Sequence, residues 1–257
     1  MLSMKNVEPV RLSPDSRFKF RCHKGIGCFT KCCSSIAIML TPYDIVRLKN
    51  RLGILSGQFL LNYTYIDIDE KTSHPFVFLK MNEDAEKKCP FVTSEGCTIY
   101  TDRPANCRYY PVGQASLKKM DEKLNQPITE EFYFLVKEEH CLGFNEDQEW
   151  TIRSWRDDQG VDIYDDMNRG WKDILFRRNL PGHSLDEKKQ KAFYMACYDV
   201  DRLRDFVFES TFLEHFDIEP ERLEKMKKDD TEMMKFGFDY AKFILMMEQT
   251  LKRKEAK

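Results

Sequence analysis

The stretch CHKGIGCFTKCC, residues 22–33, decides how the first part of this chain folds, because four cysteines fall within it. Gly25 and Gly27 predict a loop that curls tightly, since glycine tolerates backbone conformations that other residues avoid. Cys32 and Cys33 are adjacent, so a regular backbone directs their thiols to different sides. They can serve two metals, or one can bind a metal while the other is a supporting or reactive thiol. Several thiols that converge from one short loop predict a metal site.

A second cysteine-rich stretch, CPFVTSEGCTIYTDRPANCR, covers residues 89–108, and HCLGF follows at residues 140–144. Prolines and glycines flank its cysteines and predict a fixed backbone around them. Arg103 and Arg108 bracket Cys107, and both are candidate cofactor-binding residues around the metal. Their positive charge favours thiolate over thiol and offsets the negative charge of a cluster. The candidate metal ligands are Cys22, Cys28, Cys32, Cys33, Cys89, Cys97, Cys107 and Cys141.

The charge of the chain excludes some classes of partner. Its 257 residues carry 41 basic and 43 acidic side chains, a net charge of −2 that leaves no basic footprint for nucleic acid or an anionic membrane. The first residues lack the apolar segment of a secretory signal, and no apolar run approaches the length of a membrane span. We therefore expect a cytoplasmic protein whose thiols stay reduced. Nine cysteines in that compartment indicate metal or redox chemistry more than disulfides.

Eight thiolates suffice for two four-coordinate centres. Two zinc sites, one cubane iron–sulfur cluster with one zinc, and two clusters all satisfy this count. Cysteines buried as apolar core residues are a weaker interpretation, because residues 22–33 contain glycine and lysine and form no apolar stripe. Cys197 differs, since it lies on an apolar helical face and is expected in the core. A radical S-adenosylmethionine motif would need a cysteine where Ser35 stands, and no histidine pair has zinc-finger spacing.

The pattern of apolar residues predicts an α+β fold that is predominantly helical. A cysteine-organised metal-binding domain with short strands is expected over residues 1–145, and a helical domain packed on it over residues 146–257. Thr41 predicts a helix N-cap, and Asp44 completes a capping box. Gly53 predicts the end of the same helix.

Three segments rich in β-branched and aromatic residues predict strands, namely Tyr65–Asp69, Pro75–Met81 and Glu131–Val136. The polar stretch Gly113–Pro127 predicts a loop. Beyond Trp150, apolar residues recur at the helical spacing of about 3.6 residues, which predicts amphipathic helices on a shared core. Their apolar stripes are Tyr164, Met167, Trp171, Ile174 and Leu175; Phe193, Ala196, Cys197, Val200, Leu203 and Val207; and Phe236, Tyr240, Phe243, Ile244, Met247 and Leu251.

The cysteine segments resemble the YkgJ-like cysteine-cluster family, also known as CxxCxxCC proteins and described as zinc- or iron-chelating. The resemblance rests on FKFRCHKGIGCFTKCC, on KCPFVTSEGCTIYTDRPANCRYYPVG and on HCLGF, and it covers roughly residues 17–145. The first cluster is wider than the usual C-x2-C-G-x-CC of the family, with five and then three residues between its cysteines. HCLGF also lacks the proline that usually follows its cysteine.

This resemblance implies a thiolate metal centre, either an iron–sulfur cluster, with the 4Fe–4S form favoured, or zinc. An iron–sulfur protein with a redox or group-transfer role is the first hypothesis, and a zinc-stabilised module that binds a protein partner is the second. Flagellin lysine N-methylases share the cysteine pattern, so an enzyme that uses S-adenosylmethionine is the third. A thiol redox sensor at Cys32 and Cys33 is the least favoured, because adjacent cysteines form a strained disulfide. Whether the chain is an enzyme stays open.

Overall fold

The structure is a computed structural model that describes residues 7, 8, 10–121, 126–177 and 184–254. Its helices and small antiparallel sheets confirm the expected α+β class, in which helix predominates. Among these residues, no helix is both long and apolar enough to cross a membrane.

The helices and strands are short, and most of the helices follow residue 150. The helices are α1 (Pro42–Leu52), α2 (Ser56–Tyr63), α3 (Ala105–Tyr109), α4 (Ile152–Gln159), α5 (Val161–Met167), α6 (Arg169–Arg177), α7 (Glu187–Tyr198), α8 (Val200–Phe208), α9 (Phe212–His215), α10 (Pro220–Lys228) and α11 (Asp230–Ile244). The strands are β1 (Arg17–Lys19), β2 (Met39–Leu40), β3 (Thr64–Ile68), β4 (Pro75–Leu79), β5 (Val92–Thr93), β6 (Gly96–Cys97), β7 (Val112–Asp121), β8 (Gln126–Leu135), β9 (Glu149–Thr151), β10 (Phe216–Asp217) and β11 (Lys252–Arg253). The three predicted strands correspond to β3, β4 and the second half of β8.

The chain forms two compact units, each assembled from separate stretches of sequence. The first unit is drawn from Met1–Ile36, Met81–Tyr100 and Ala105–Asp162. The second unit is drawn from Ala37–Lys80, Thr101–Pro104 and Ile163–Lys257. All eight candidate metal ligands therefore belong to the first unit. The expected division into domains at residue 145 stays a prediction.

An aromatic core holds the first unit together. The ring of Trp155 packs edge-to-face on Phe18 at 6.0 Å and on Phe20 at 5.5 Å. Strand β1 brings Phe18 to this core by pairing antiparallel with β9, which places Phe18 opposite Trp150. Cys141 and Phe144 pack against the same cluster. The third cysteine stretch is thus fixed to the core of the unit by its apolar neighbours.

The prediction of a loop over Gly113–Pro127 is wrong. Strands β7 and β8 pair antiparallel from Val112 opposite Leu135 to Asp121 opposite Gln126, and residues 122–125 lie outside the described residues. The sequence is polar, but a paired strand needs backbone partners for its N–H and C=O groups, and apolar side chains are not required for that pairing. A hairpin therefore forms where side-chain polarity alone indicated a loop.

In the second unit, the helix predicted after Thr41 is confirmed with its caps. The Thr41 hydroxyl accepts from the Asp44 amide at 3.2 Å, and the Asp44 carboxylate accepts from the Thr41 amide at 2.8 Å. Gly53 ends the helix with a φ of 65°, in the left-handed region that favours glycine. Strands β2, β4 and β3 form a three-stranded antiparallel sheet in that order.

All three predicted apolar stripes differ from the helices that form. The stripe from Tyr164 to Leu175 is divided between α5 and α6, with Asn168 between them. The stripe from Phe193 to Val207 is divided between α7 and α8, because the Asp199 carboxylate accepts from the Ser56 hydroxyl at 2.6 Å and caps the start of α8. Helix α11 ends at Ile244, and Met246, with a φ of 57°, turns the chain away before the third stripe is complete. Cys197 is buried, as expected of a core residue.

Candidate metal centre

The first cysteine loop is a succession of tight turns. The Lys31 amide donates to the Cys28 carbonyl at 3.0 Å, and the Cys33 amide donates to the Thr30 carbonyl at 2.9 Å. A short 3-10 helix over Lys31–Cys33 then carries the two adjacent cysteines. The left-handed residue of the loop is Thr30, with a φ of 67°, whereas neither of the loop's two glycines has a positive φ. The predicted curl is present, but it depends on a threonine.

Backbone hydrogen bonds fix the second cysteine stretch beside the first. The Cys89 amide donates to the Cys33 carbonyl at 2.8 Å, and the Ser35 amide donates to the Lys87 carbonyl at 3.0 Å. These bonds join residues more than fifty positions apart in the sequence. Cys33 and Cys89 are therefore neighbours in the folded unit.

The hairpin of β5 and β6 brings a further cysteine to the same place. Cys97 stands opposite Val92 in this hairpin, and Gly96 turns the chain with a φ of 114°. Burial, and then the charge of Cys97, raises the pKa of the Cys89 thiol. The sulfurs of Cys89 and Cys97 are therefore close enough to interact.

The third stretch, HCLGF, joins the first loop. The Leu142 amide donates to the Cys28 sulfur at 3.2 Å. Gly143 lies against Phe20, where a Cβ would approach the ring to 2.6 Å, so this position requires glycine. The close approach of Gly143 keeps Cys141 next to the loop of residues 22–33.

The thiols that act on one another's pKa form two sets that meet at Cys32 and Cys33. The first thiol group, linked by charges that act on Cys22 and Cys141, consists of Cys22, Cys28, Cys32 and Cys141. The second thiol group, linked by charges that act on Cys33 and Cys89, consists of Cys33, Cys89, Cys97 and Cys107. Cys32 and Cys33 also interact with each other and connect the two groups.

The pKa values of the grouped thiols indicate how readily each one ionises to a thiolate. Cys22 as a whole is exposed, but its thiol is partly buried. This burial, and then the negative charges of the other thiols in its group, raise the pKa of Cys22 to about 11. The Cys33 thiol donates to the Cys32 sulfur, which lowers the pKa of Cys32 to about 7 and raises that of Cys33. Full deprotonation would gather like charges in a partly buried site, which a bound cation compensates.

Backbone amides point at sulfur in both groups. Burial is the largest influence on Cys89 and Cys141 and raises the pKa of each thiol. The Phe91 amide opposes this effect at Cys89, and the Gly143 amide opposes it at Cys141, because a donor to sulfur favours the thiolate. Thiolate is the form that binds metal, so these amides prepare the sulfurs for coordination.

Two neighbours of the first thiol group are absent from the predicted ligands. The hydroxyl of Tyr110 is buried, and among the described residues no group stands in hydrogen-bonding geometry to it. Burial raises the pKa of this hydroxyl, and the nearby Cys141 sulfur raises it further. The negative charge of Glu138 acts on Cys32. Tyr110 follows Cys107 by three residues, so the sequence already marked it as a candidate polar group, whereas no motif marks Glu138.

The two candidate arginines are both buried, with exposed fractions of 8%. Arg108 donates from Nη1 to the carbonyl of Gln159 at 2.7 Å, at the carboxyl end of α4. This contact adds a positive charge where the helix dipole is negative. Roles for Arg103 and Arg108 around a metal stay predictions.

The donor set fits a thiolate-ligated metal in kind and in number. Each group supplies four sulfurs, which is the coordination number of structural zinc and the ligand count of a cubane cluster. Within the described ranges, no three histidine, cysteine, aspartate or glutamate side chains already stand in an arrangement that holds a metal ion. Coordination therefore requires the sulfurs to turn toward a common point.

The comparisons with known proteins agree with this chemistry. Residues 21–142 match the model of the CxxCxxCC family, whose description reads "putative zinc- or iron-chelating domain". The resemblance of residues 21–142 to the CxxCxxCC family is therefore confirmed. All eight clustered cysteines lie inside the CxxCxxCC domain, and Cys197 lies outside it. Comparison with curated proteins and with solved structures gave no match.

Proposed function

We propose that the CxxCxxCC domain of this chain holds two thiolate-ligated metal centres, one on each thiol group, and that an iron–sulfur cluster is the occupant. The observation that carries the proposal is the pair of hydrogen bonds that place Cys89 beside Cys33 and Cys141 beside Cys28. Because the adjacent residues Cys32 and Cys33 belong to different groups, the two centres would share one short 3-10 helix. Centres so close together suit an exchange of electrons between them.

The surroundings of the sulfurs support a cluster. Amides aimed at Cys28, Cys89 and Cys141 are the kind of donor with which proteins set the reduction potential of an iron–sulfur cluster. A bound cluster would supply one-electron redox chemistry, and the chain would hold it and tune it.

Zinc is the second candidate, and the hairpin of β5 and β6 favours it. Each of these strands has only two residues, and so small an element has little apolar core of its own. A metal that ties Cys89 to Cys97 would stabilise such a hairpin, as structural zinc does in small domains. In that case the unit would act as a module that docks a protein partner.

Two further expectations stay predictions. No feature of the described residues supports an S-adenosylmethionine site. A thiol sensor at Cys32 and Cys33 agrees with the hydrogen bond between these thiols, but metal binding is favoured over it. We also propose a cytoplasmic location, where thiolate ligands remain reduced.

Single cysteine variants test the two-centre proposal. Cys22→Ser removes one ligand of the first thiol group, and Cys33→Ser removes one ligand of the second. Each variant is expected to lose about half of the metal bound by the wild-type chain, because a four-coordinate thiolate site is weakened when one ligand is removed. Cys197→Ala is the control, since Cys197 is buried in the second unit and belongs to neither group.

Metal content is measured by elemental analysis of protein prepared without oxygen. If either serine variant alone abolishes all metal binding while its circular dichroism stays unchanged, the eight thiols form one shared centre and the two-centre proposal is wrong. If Cys197→Ala loses metal as well, the loss reflects impaired folding and the cysteine assignments fail.

A further inference from the structure

The hydroxyl of Tyr110 is an unsatisfied polar group inside the first unit. Its oxygen is buried, and within the part of the chain that the structure describes no group stands in hydrogen-bonding geometry to it. A buried hydroxyl is ordinarily paired, because burial has removed its bonds to water. The lone hydroxyl therefore calls for an acceptor that moves into place when the unit does its work.

The Cys141 sulfur is the acceptor within reach of this hydroxyl. Burial and then Cys141 raise the pKa of Tyr110, and Cys141 does so as a hydrogen-bond acceptor as well as by its charge. Cys32 and Glu138 also raise this pKa, but through charge alone. Conversely, burial is the main influence on the pKa of Cys141, and Tyr110 opposes it as a donor that favours the thiolate.

One aromatic ring sets the position of both groups. The Phe20 ring packs edge-to-face on Tyr110, with the ring centroids 6.0 Å apart. The same ring lies against Gly143, where an added Cβ would meet it at 2.6 Å. Tyr110 and Cys141 both pack on the cluster that contains Phe20, and the Cys141 amide donates to the Glu138 carbonyl at 2.9 Å. The hydroxyl and the sulfur are therefore held near each other by packing that does not depend on a metal.

We propose that Tyr110 is a positioning residue for the metal centre of the first thiol group, and that its hydroxyl donates a hydrogen bond to the Cys141 sulfur when that sulfur binds metal. The proposal rests on the metal centre proposed above. A thiolate ligand accepts hydrogen bonds and has no proton to donate, whereas the phenol keeps its proton. As the sulfurs of the group turn toward a common point, the hydroxyl gains the acceptor that it lacks. The bond then fixes the direction of Cys141 and draws negative charge from its sulfur.

Cobalt(II) binding tests the proposal on each thiol group separately, because cobalt accepts four thiolates and gives a sulfur-to-metal absorption band. In a Cys33→Ser background only the first group keeps its four thiols, and in a Cys22→Ser background only the second does. Tyr110→Phe is added to each background and keeps the ring that packs on Phe20. We expect cobalt to bind about tenfold more weakly to the first group, as loss of an outer hydrogen bond to a ligand typically causes, and equally well to the second.

The position of the absorption band is a readout that a purely structural role would not move. A sulfur that has lost its hydrogen bond gives up electron density more readily, so Tyr110→Phe should shift the band of the first group to longer wavelength. Tyr109→Phe is the matched control. The Tyr109 hydroxyl donates to Gln114 and accepts from Arg156 at 3.3 Å, so this variant also removes a tyrosine hydroxyl that has partners in the protein. It is expected to change neither the affinity for cobalt nor the band.

Three outcomes overturn the proposal, and they can be told apart. If Tyr110→Phe leaves both the affinity and the band of the first group unchanged, the hydrogen bond to Cys141 is wrong while the metal centre stands. If Tyr110→Phe weakens cobalt binding equally in both backgrounds, the effect is a general loss of folding. If neither parent background binds cobalt, the metal centres themselves fail, and the role of Tyr110 fails with them.

Discussion

Substitution of Gly237 by alanine tests how closely the helices of the second unit pack. Gly237 lies in α11, where a Cβ would stand 2.0 Å from the carbonyl oxygen of Ala196 in α7. The same Cβ would also stand 2.9 Å from a methyl carbon of Leu203. The first of these atoms belongs to the backbone and cannot rotate away. The two helices must therefore separate if alanine is introduced.

The size of the effect follows from two opposing contributions. Alanine in a helix interior is more favourable than glycine by about 1 kcal/mol. Overpacking a tight core costs about 1–3 kcal/mol, and more where the backbone has to move. The obstacle at Gly237 is a backbone carbonyl of another helix, so we expect a cost at or above the upper end of this range. The net expectation is a loss of about 2 kcal/mol in the free energy of unfolding.

Gly57→Ala is the matched control, because Gly57 lies in α2 and its nearest neighbour to a new Cβ is an oxygen of Asp199 at 3.6 Å. This is ordinary contact, so the control is expected to be about as stable as the wild type or up to ~1 kcal/mol more stable. Urea denaturation followed by circular dichroism measures both variants. A Gly237→Ala protein as stable as Gly57→Ala would refute the close crossing of α7 and α11.

Three further outcomes are expected. Thr41→Ala should lower the free energy of unfolding by about 1 kcal/mol, because the cap of α1 is lost, and Thr41→Ser should restore it in the same denaturation assay. Burial opposes ionisation of Asp230, but hydrogen bonds from Lys49 and Arg204 outweigh it and lower the pKa of this carboxyl from 3.8. The stability that these bonds contribute is then complete above pH 3.8 and is lost as pH falls toward the lowered value, and Asp230→Asn should lose this part of the acid dependence in denaturation at a series of pH values. Removal of metal with a chelator should lower the melting temperature, since metal-binding energy is also folding energy, and an unchanged scanning-calorimetry trace would contradict this.

The sequence predicted the elements whose signals are local. The N-cap Thr41, the closing Asp44 and the final Gly53 each act within a few residues, so helix α1 could be predicted with both of its ends. The division of the second apolar stripe at Asp199 could not be predicted, because the decisive contact comes from Ser56, which is far away in the sequence. The hairpin of β7 and β8 was missed for a similar reason, because it is held together by backbone hydrogen bonds between the two strands and its polar side chains do not indicate a strand.

The candidate site was predicted in composition but not in arrangement. Eight thiols and their clustering are visible in the sequence, and the adjacency of Cys32 and Cys33 allowed either two metals or one ligand beside a supporting or reactive thiol. The assignment of Cys141 to the loop of residues 22–33 depends on the bond from Leu142 to Cys28. That contact spans more than a hundred residues, so no spacing rule could have indicated it.

Iron, zinc and acid-labile sulfide should be determined, with an absorption spectrum, on the whole chain purified without oxygen. We expect iron with a matching amount of sulfide and a broad absorption in the visible range, because the two thiol groups are proposed to hold iron–sulfur clusters. Zinc without iron or sulfide would contradict the iron–sulfur assignment and leave the thiol groups as structural zinc sites. A chain that carries neither metal would contradict the central claim that its two thiol groups are metal centres.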